Sequence, residues 1–146
     1  MLVDPVNSRS KIEFKLLKLY KEHNKISLKI IELLEYISDA IGKDDGYKLE
    51  KYSLIEKDFI NRLVNIKQVI KGFEKINSVT STDLDLIRSK AAMQEKIIIT
   101  MGKRNRITIK DSLEKISAQI EIFSRKMIYS TSLLRQTTPV FIDLSA

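Results

Sequence analysis

Residues 8–42 read SRSKIEFKLLKLYKEHNKISLKIIELLEYISDAIG. Ile12, Leu16, Leu19, Ile26, Ile30, Leu33 and Ile37 recur three and four positions apart, with His23 and Ala40 in the remaining places. That is the spacing of a helix-packing seam. Tyr20, Leu34 and Ile41 widen the stripe on one side, so the helix should bury a broad face instead of a narrow dimer seam. The glycines of GKDDG, at 42 and 46, supply a stop and a turn.

Working outward, the segment from about Leu49 to Ile76 places Tyr52, Ile55, Phe59, Leu63, Ile66, Val69, Ile70, Phe73 and Ile76 on one face of a second helix. It ends in NSVTSTD, residues 77–83, a cluster of small polar turn formers. Ser81 or Thr82 can cap the next helix, and Asp83 and Asp85 suit the positive end of its dipole. A connection this short predicts an antiparallel helix pair.

The third helix has no proline before Pro139 and carries Leu84, Ile87, Ala91, Ile98 and Met101, then Ile109, Leu113, Ile116, Ile120, Phe123 and Met127. The two runs do not share one register. Ile98 and Leu113 occupy equivalent seam positions yet stand 15 residues apart, two heptads plus one, which is equivalent to two stutters. Gly102, Lys103, Arg104, Asn105 and Arg106 lie at the discontinuity, so a kink or a close helix contact is expected there. The reading is therefore all-α: an antiparallel bundle of three long helices, about 8–42, 47–76 and 83–135, in a single domain over 1–146, with an extended tail from 136 to 146. Helix three is the longest, so Ile116, Ile120, Phe123 and Met127 should extend past what the first two helices cover and need another surface.

Composition narrows the chemistry. The chain has 146 residues, 26 basic and 19 acidic side chains, a net charge of +7 and no cysteine. Disulfides, zinc ribbons and thiol nucleophiles are thereby excluded. Apolar runs such as Ile97-Ile98-Ile99 fall far short of the roughly 20 residues that cross a bilayer. The first residues, MLVDPVNSRS, carry no secretion signal, so a soluble, cytoplasmic protein is expected. Basic excess is spread along the chain, with 7 basic and 6 acidic residues in 1–42, 8 and 6 in 43–78, and 11 and 7 in 79–146. Only GKRNR, residues 102–106, forms a cluster, and it lacks the interleaved aromatics of nucleic-acid readers.

No catalytic constellation is evident. His23 is the sole histidine, and EHNKISLKI, residues 22–30, lacks the small residue and glycine that leave a phosphotransfer histidine open. Glu32 with Glu35, and Asp44 with Asp45, have no partners that would complete a metal or acid–base site. Phosphate-loop, nucleophile-elbow and metalloprotease signatures are missing from the sequence. A non-enzymatic protein without metal, cofactor or small-molecule substrate is the expectation.

The stretch MGKRNRITIKDSLEKISAQIEIFSRKMIYS, residues 101–130, resembles the C-terminal helix of the FlgN-type flagellar export chaperones. Asn105 beside basic residues, then Ile107, Ile109, Ser112, Leu113 and Ile116, carry the likeness, as does the ending FIDLSA. Tyr129 is followed by Ser130 where that family has a glycine after its tyrosine. The resemblance implies a cytoplasmic type III secretion chaperone that binds C-terminal helical segments of hook–filament junction proteins and delivers them to the membrane export gate. It implies client binding through Ile109, Leu113, Ile116, Ile120, Phe123 and Met127, and gate docking through Tyr129. Two other classes stay open: a coiled-coil adaptor that self-associates through helix three, and a basic helical module that binds nucleic acid through Lys103, Arg104 and Arg106.

Two expectations concern local roles. Leu84, Ile87 and Ile98 should hold the fold, while the apolar residues from Ile116 onward serve a partner. Pro139 biases Thr138 toward an extended conformation, so Val140, Phe141 and Ile142 in TTPVFIDLSA should lie as a displaceable cover over Ile120, Phe123 and Met127.

Overall fold

In the computed structural model, which describes residues 5–137 and side chains from 10 to 130, the chain is three long helices packed against each other. They are α1 (Pro5–Gly42), α2 (Gly46–Ile76) and α3 (Thr82–Thr137). Contacts divide the chain into a unit ending at Arg106 and one beginning at Ile107. Helix α1 starts three residues before the sequence expectation because proline, which has no N–H to leave unpaired, fits the first helical turn.

Helix α1 ends on a left-handed residue, but not on either glycine. Asp44 has φ 51°, and no glycine has positive φ. The Asp45 amide donates to Ala40 O at 3.0 Å and the Asp44 amide to Ile41 O at 3.2 Å, the paired bonds that close a helix C-terminus. Aspartate tolerates this backbone because its side chain is short and polar. Asp45 at once begins α2, its Oδ1 accepting from the Lys48 amide at 3.1 Å. At the second connection the Asn77 amide donates to Phe73 O at 3.0 Å, and Ser81 Oγ caps α3 by accepting from the Leu84 amide at 3.2 Å.

In the first unit the helices run up, down and up. Leu16 of α1 packs with Val79 and Leu84, and Phe73 and Ile87 lie against them. Toward the other end, Ile26, Ile30 and Leu34 pack with Leu63, joined by Phe59, Ile66, Ile98 and Met101. Lys15 and Lys29 of α1 lay their ammonium groups over the rings of Phe73 and Phe59, at 5.4 and 5.6 Å from the centroids. Between the two apolar clusters lies a polar layer of buried His23, Asn24, Ser27 and Gln94.

The expected rows are corrected in three places. On α2, Val69 is 54% and Ile76 84% exposed, because the buried line of that helix is narrow and holds only Leu63 and Ile70. Helix α3 is unbroken through 102–106. A Cβ at Gly102 would meet nothing within 4 Å, so this glycine does not serve a close approach. Instead Asn105, buried, donates from Nδ2 to Leu34 O of α1 at 3.0 Å. The packed row on α3 is Leu84, Ile87, Ala91, Gln94, Ile98, Met101 and Asn105, in strict three-four spacing. Its next positions would be Thr108 and Ser112, whereas the apolar row resumes at Ile109 and Leu113, one residue out of step.

Among the described residues no helix is long and apolar enough to cross a membrane. The expected tail residues Val140, Phe141 and Ile142 lie outside the described residues.

Two stability outcomes follow from burial. Leu84→Ala, at a fully buried side chain, is expected to cost about 2–5 kcal/mol, while Ile120→Ala, at one 59% exposed, should change stability by less than about 0.5 kcal/mol. Ser27 Oγ is buried with no hydrogen-bond partner among the described residues, so Ser27→Ala removes an unpaired hydroxyl and should raise stability by about 1 kcal/mol. Denaturant melts of the three variants check both.

Candidate functional site

Two surfaces stand out, a groove in the first unit and an exposed apolar row in the second. The first is a groove of about 740 Å³ lined by all three helices of the unit ending at Arg106. Tyr20 and His23 come from α1, Val64, Lys67, Gln68, Ile70, Lys71, Glu74 and Lys75 from α2, and Arg88, Ala91, Ala92 and Glu95 from α3. The four-residue spacing of Lys67, Lys71 and Lys75 puts them on one line along α2.

Two carboxylates bind the walls together. Glu74 Oε1 accepts from Tyr20 Oη at 2.6 Å and from Arg88 Nε and Nη2 at 3.1 and 3.0 Å, so one oxygen joins α1, α2 and α3. Arg88 Nη2 also donates to Val79 O at 3.2 Å, which holds the α2–α3 connection. Burial, and then the hydrogen bond to Glu74, push the Tyr20 hydroxyl above its ordinary pKa.

Glu95 Oε1 lies 3.1 Å from His23 Nε2 and 2.9 Å from Lys67 Nζ, again linking three helices. His23 Nδ1 lies 2.9 Å from Asn24 Oδ1, whose amide nitrogen points to Ile87 O at 3.5 Å. In this amide orientation both ring nitrogens face oxygens. His23 is thus a buried structural side chain in the floor of a groove. Burial alone would raise the Glu95 pKa; the hydrogen bond and charge of Lys67, followed by those of His23, outweigh it, and the carboxyl sits below its ordinary value.

The second surface is the α3 segment from Ile107. None of residues 107–130 is buried. Of the client-binding residues expected from the sequence, Ile109 is half-buried, and Leu113, Ile116, Ile120, Phe123 and Met127 are exposed. Tyr129 is exposed as well. The spacings of this row run four, three, four, three, four, and its flanks are uncharged at Ser112, Ser117, Gln119 and Ser124 and basic at Lys110 and Lys126. Lys103, Arg104 and Arg106 are exposed, and the charge of Arg106 opposes the burial that raises the Glu56 pKa.

Sequence reasoning pointed to the apolar α3 row, which is exposed from Leu113 onward, and passed over the groove. Counting apolar residues passes over Asn24, Ser27 and Gln94, although each falls on or beside a packed row where a polar residue is the anomaly to notice. The line of Lys67, Lys71 and Lys75 was visible as a four-residue repeat, but not the helices that face it.

Because the folded-state pKa of Glu95 is depressed, its contribution is present above the ordinary glutamate value of 4.5 and is lost as the pH falls through the folded one. Glu95→Gln is expected to destabilise by about 1 kcal/mol at pH 7, with the gap to the parent protein closing below the ordinary glutamate pKa. Melts across acid pH measure this, and a constant gap would contradict it. Comparison with known protein families, with curated proteins and with solved structures finds no match to this chain.

Proposed function

We propose that this protein is a non-enzymatic export chaperone of the FlgN type, working in the cytoplasm. Its α3 row from Ile109 to Met127 receives an amphipathic helix near the C-terminus of a hook–filament junction protein. The observation that carries the reading is that row: apolar side chains at helical seam spacing, exposed from Leu113 to Met127 along about four turns. A surface of this kind is the complement of a helix whose own apolar stripe has no filament to enter. Covering such half-exposed residues contributes on the order of 1 kcal/mol each, enough for reversible capture once ordering costs are subtracted. Tyr129, two residues beyond Met127 and exposed, is the residue proposed to reach the export gate.

The same spacing also favours a second reading, in which two copies of the chain pair through this row as a coiled-coil adaptor. Uncharged flanks at Ser112, Ser117, Gln119 and Ser124 keep like charges apart along the middle of such a pair, between Lys110 and Lys126.

Titration calorimetry with the purified C-terminal segment of a junction protein from the same cell separates the two. A triple variant, Ile116→Ser, Ile120→Ser and Phe123→Ser, is expected to weaken that binding at least about tenfold and to leave the melt unchanged. Binding that survives the triple variant discards the chaperone surface. Sedimentation velocity showing a dimer that the triple variant dissociates, with no binding of the segment, selects the adaptor.

A further inference from the structure

We infer that the groove between α2 and α3 is a second docking site, independent of the α3 row, and that its occupant is an acidic amphipathic helix. Beside buried His23, the lining includes an apolar part: buried Ile70 and Ala91 and the half-buried ring of Tyr20. A cavity of about 740 Å³ with that lining is too large for a lone anion and has the scale of a site for several side chains. On the α3 wall, Ala91 and Ala92 present only methyl groups, so a helix backbone can approach closely.

Charge identifies the occupant. Lys67, Lys71 and Lys75 stand one turn apart, about 6 Å of rise between neighbours, along the α2 rim. Lys67 is held by Glu95 and Arg88 by Glu74. Lys71 and Lys75 have no carboxylate within ion-pair distance among the described residues, which leaves two adjacent cations for carboxylates spaced four residues apart on a partner. An aliphatic residue three positions along such a helix then faces Ile70 and Ala91. A nucleic-acid strand fits less well. Tyr20, the one ring besides His23 that lines the groove, has its hydroxyl committed to Glu74, so the groove offers no row of aromatic faces on which bases could stack.

The test uses the full-length protein and a fluorescein-labelled helical peptide of about 18 residues, with glutamate at every fourth position and leucine on the adjoining face, beside a lysine-substituted counterpart. Fluorescence polarisation at low salt is expected to give saturable binding of the acidic peptide at least about tenfold tighter than of the basic one. Lys71→Glu combined with Lys75→Glu should remove that preference without changing the melt, and Ala92→Trp should weaken binding by filling the groove while keeping its charge. Ile116→Ser with Ile120→Ser, on the α3 row, should leave it intact; loss of binding in that variant would place the peptide on the other surface and overturn the inference. Equal binding of both peptides, indifference to the lysine pair, or tighter binding of a DNA duplex or of phosphatidylserine vesicles through the same lysines would also overturn it.

Discussion

The apolar stripe of α1 is the constraint on which the first unit depends. Leu16, Ile26, Ile30, Leu33, Leu34, Ile37, Ala40 and Ile41 are all buried, and the stripe is too broad for one neighbour to cover. Leu63 of α2 and Leu84 of α3 meet it in separate clusters, so both later helices take their positions from α1. A buried leucine removed from such a site costs about 2–5 kcal/mol, which is the scale on which this unit is held together.

The polar groups act on a smaller scale and do a different job. Glu74 and Glu95 each accept from two other helices, yet both carboxylates are about one-third exposed, and ion pairs at that exposure contribute about 1 kcal/mol or less. What they add is register. Sliding α3 by one turn along α1 would carry Glu95 away from His23, Asn105 away from Leu34 O and Arg88 away from Val79 O, while apolar side chains would still find apolar neighbours. Unpaired Ser27 Oγ and Gln94 Oε1 oppose this layer, so its gain is alignment and not net stability.

Helix α3 carries two rows with different fates. The row from Leu84 to Asn105 is spent on α1 and α2, and Asn105 is its last buried member. One residue of phase change then starts the row from Ile109, whose side chains from Leu113 onward are exposed. The basic groove differs from that row in chemistry, combining cations with a small apolar lining.

Three helices, the turn regions near 43–45 and 77–81, a cap at Ser81 or Thr82 and the buried stripe of α1 were all legible in the sequence, because spacing and capping are local properties of a chain. The phase change near Asn105 was legible too, as a break in counting. Its meaning was not: a hydrogen bond to Leu34 O depends on a residue 71 positions away. Exposure of Val69 and Ile76, the left-handed Asp44 and the open space around Gly102 escaped for the same reason, since each depends on what lies across from the residue and not on its type. Local periodicity decided which segments are helical and which faces are apolar; only the packing of one helix on another decided which of those faces are used up, which polar side chains are paired, and that three lysines of α2 line a groove whose opposite wall is α3.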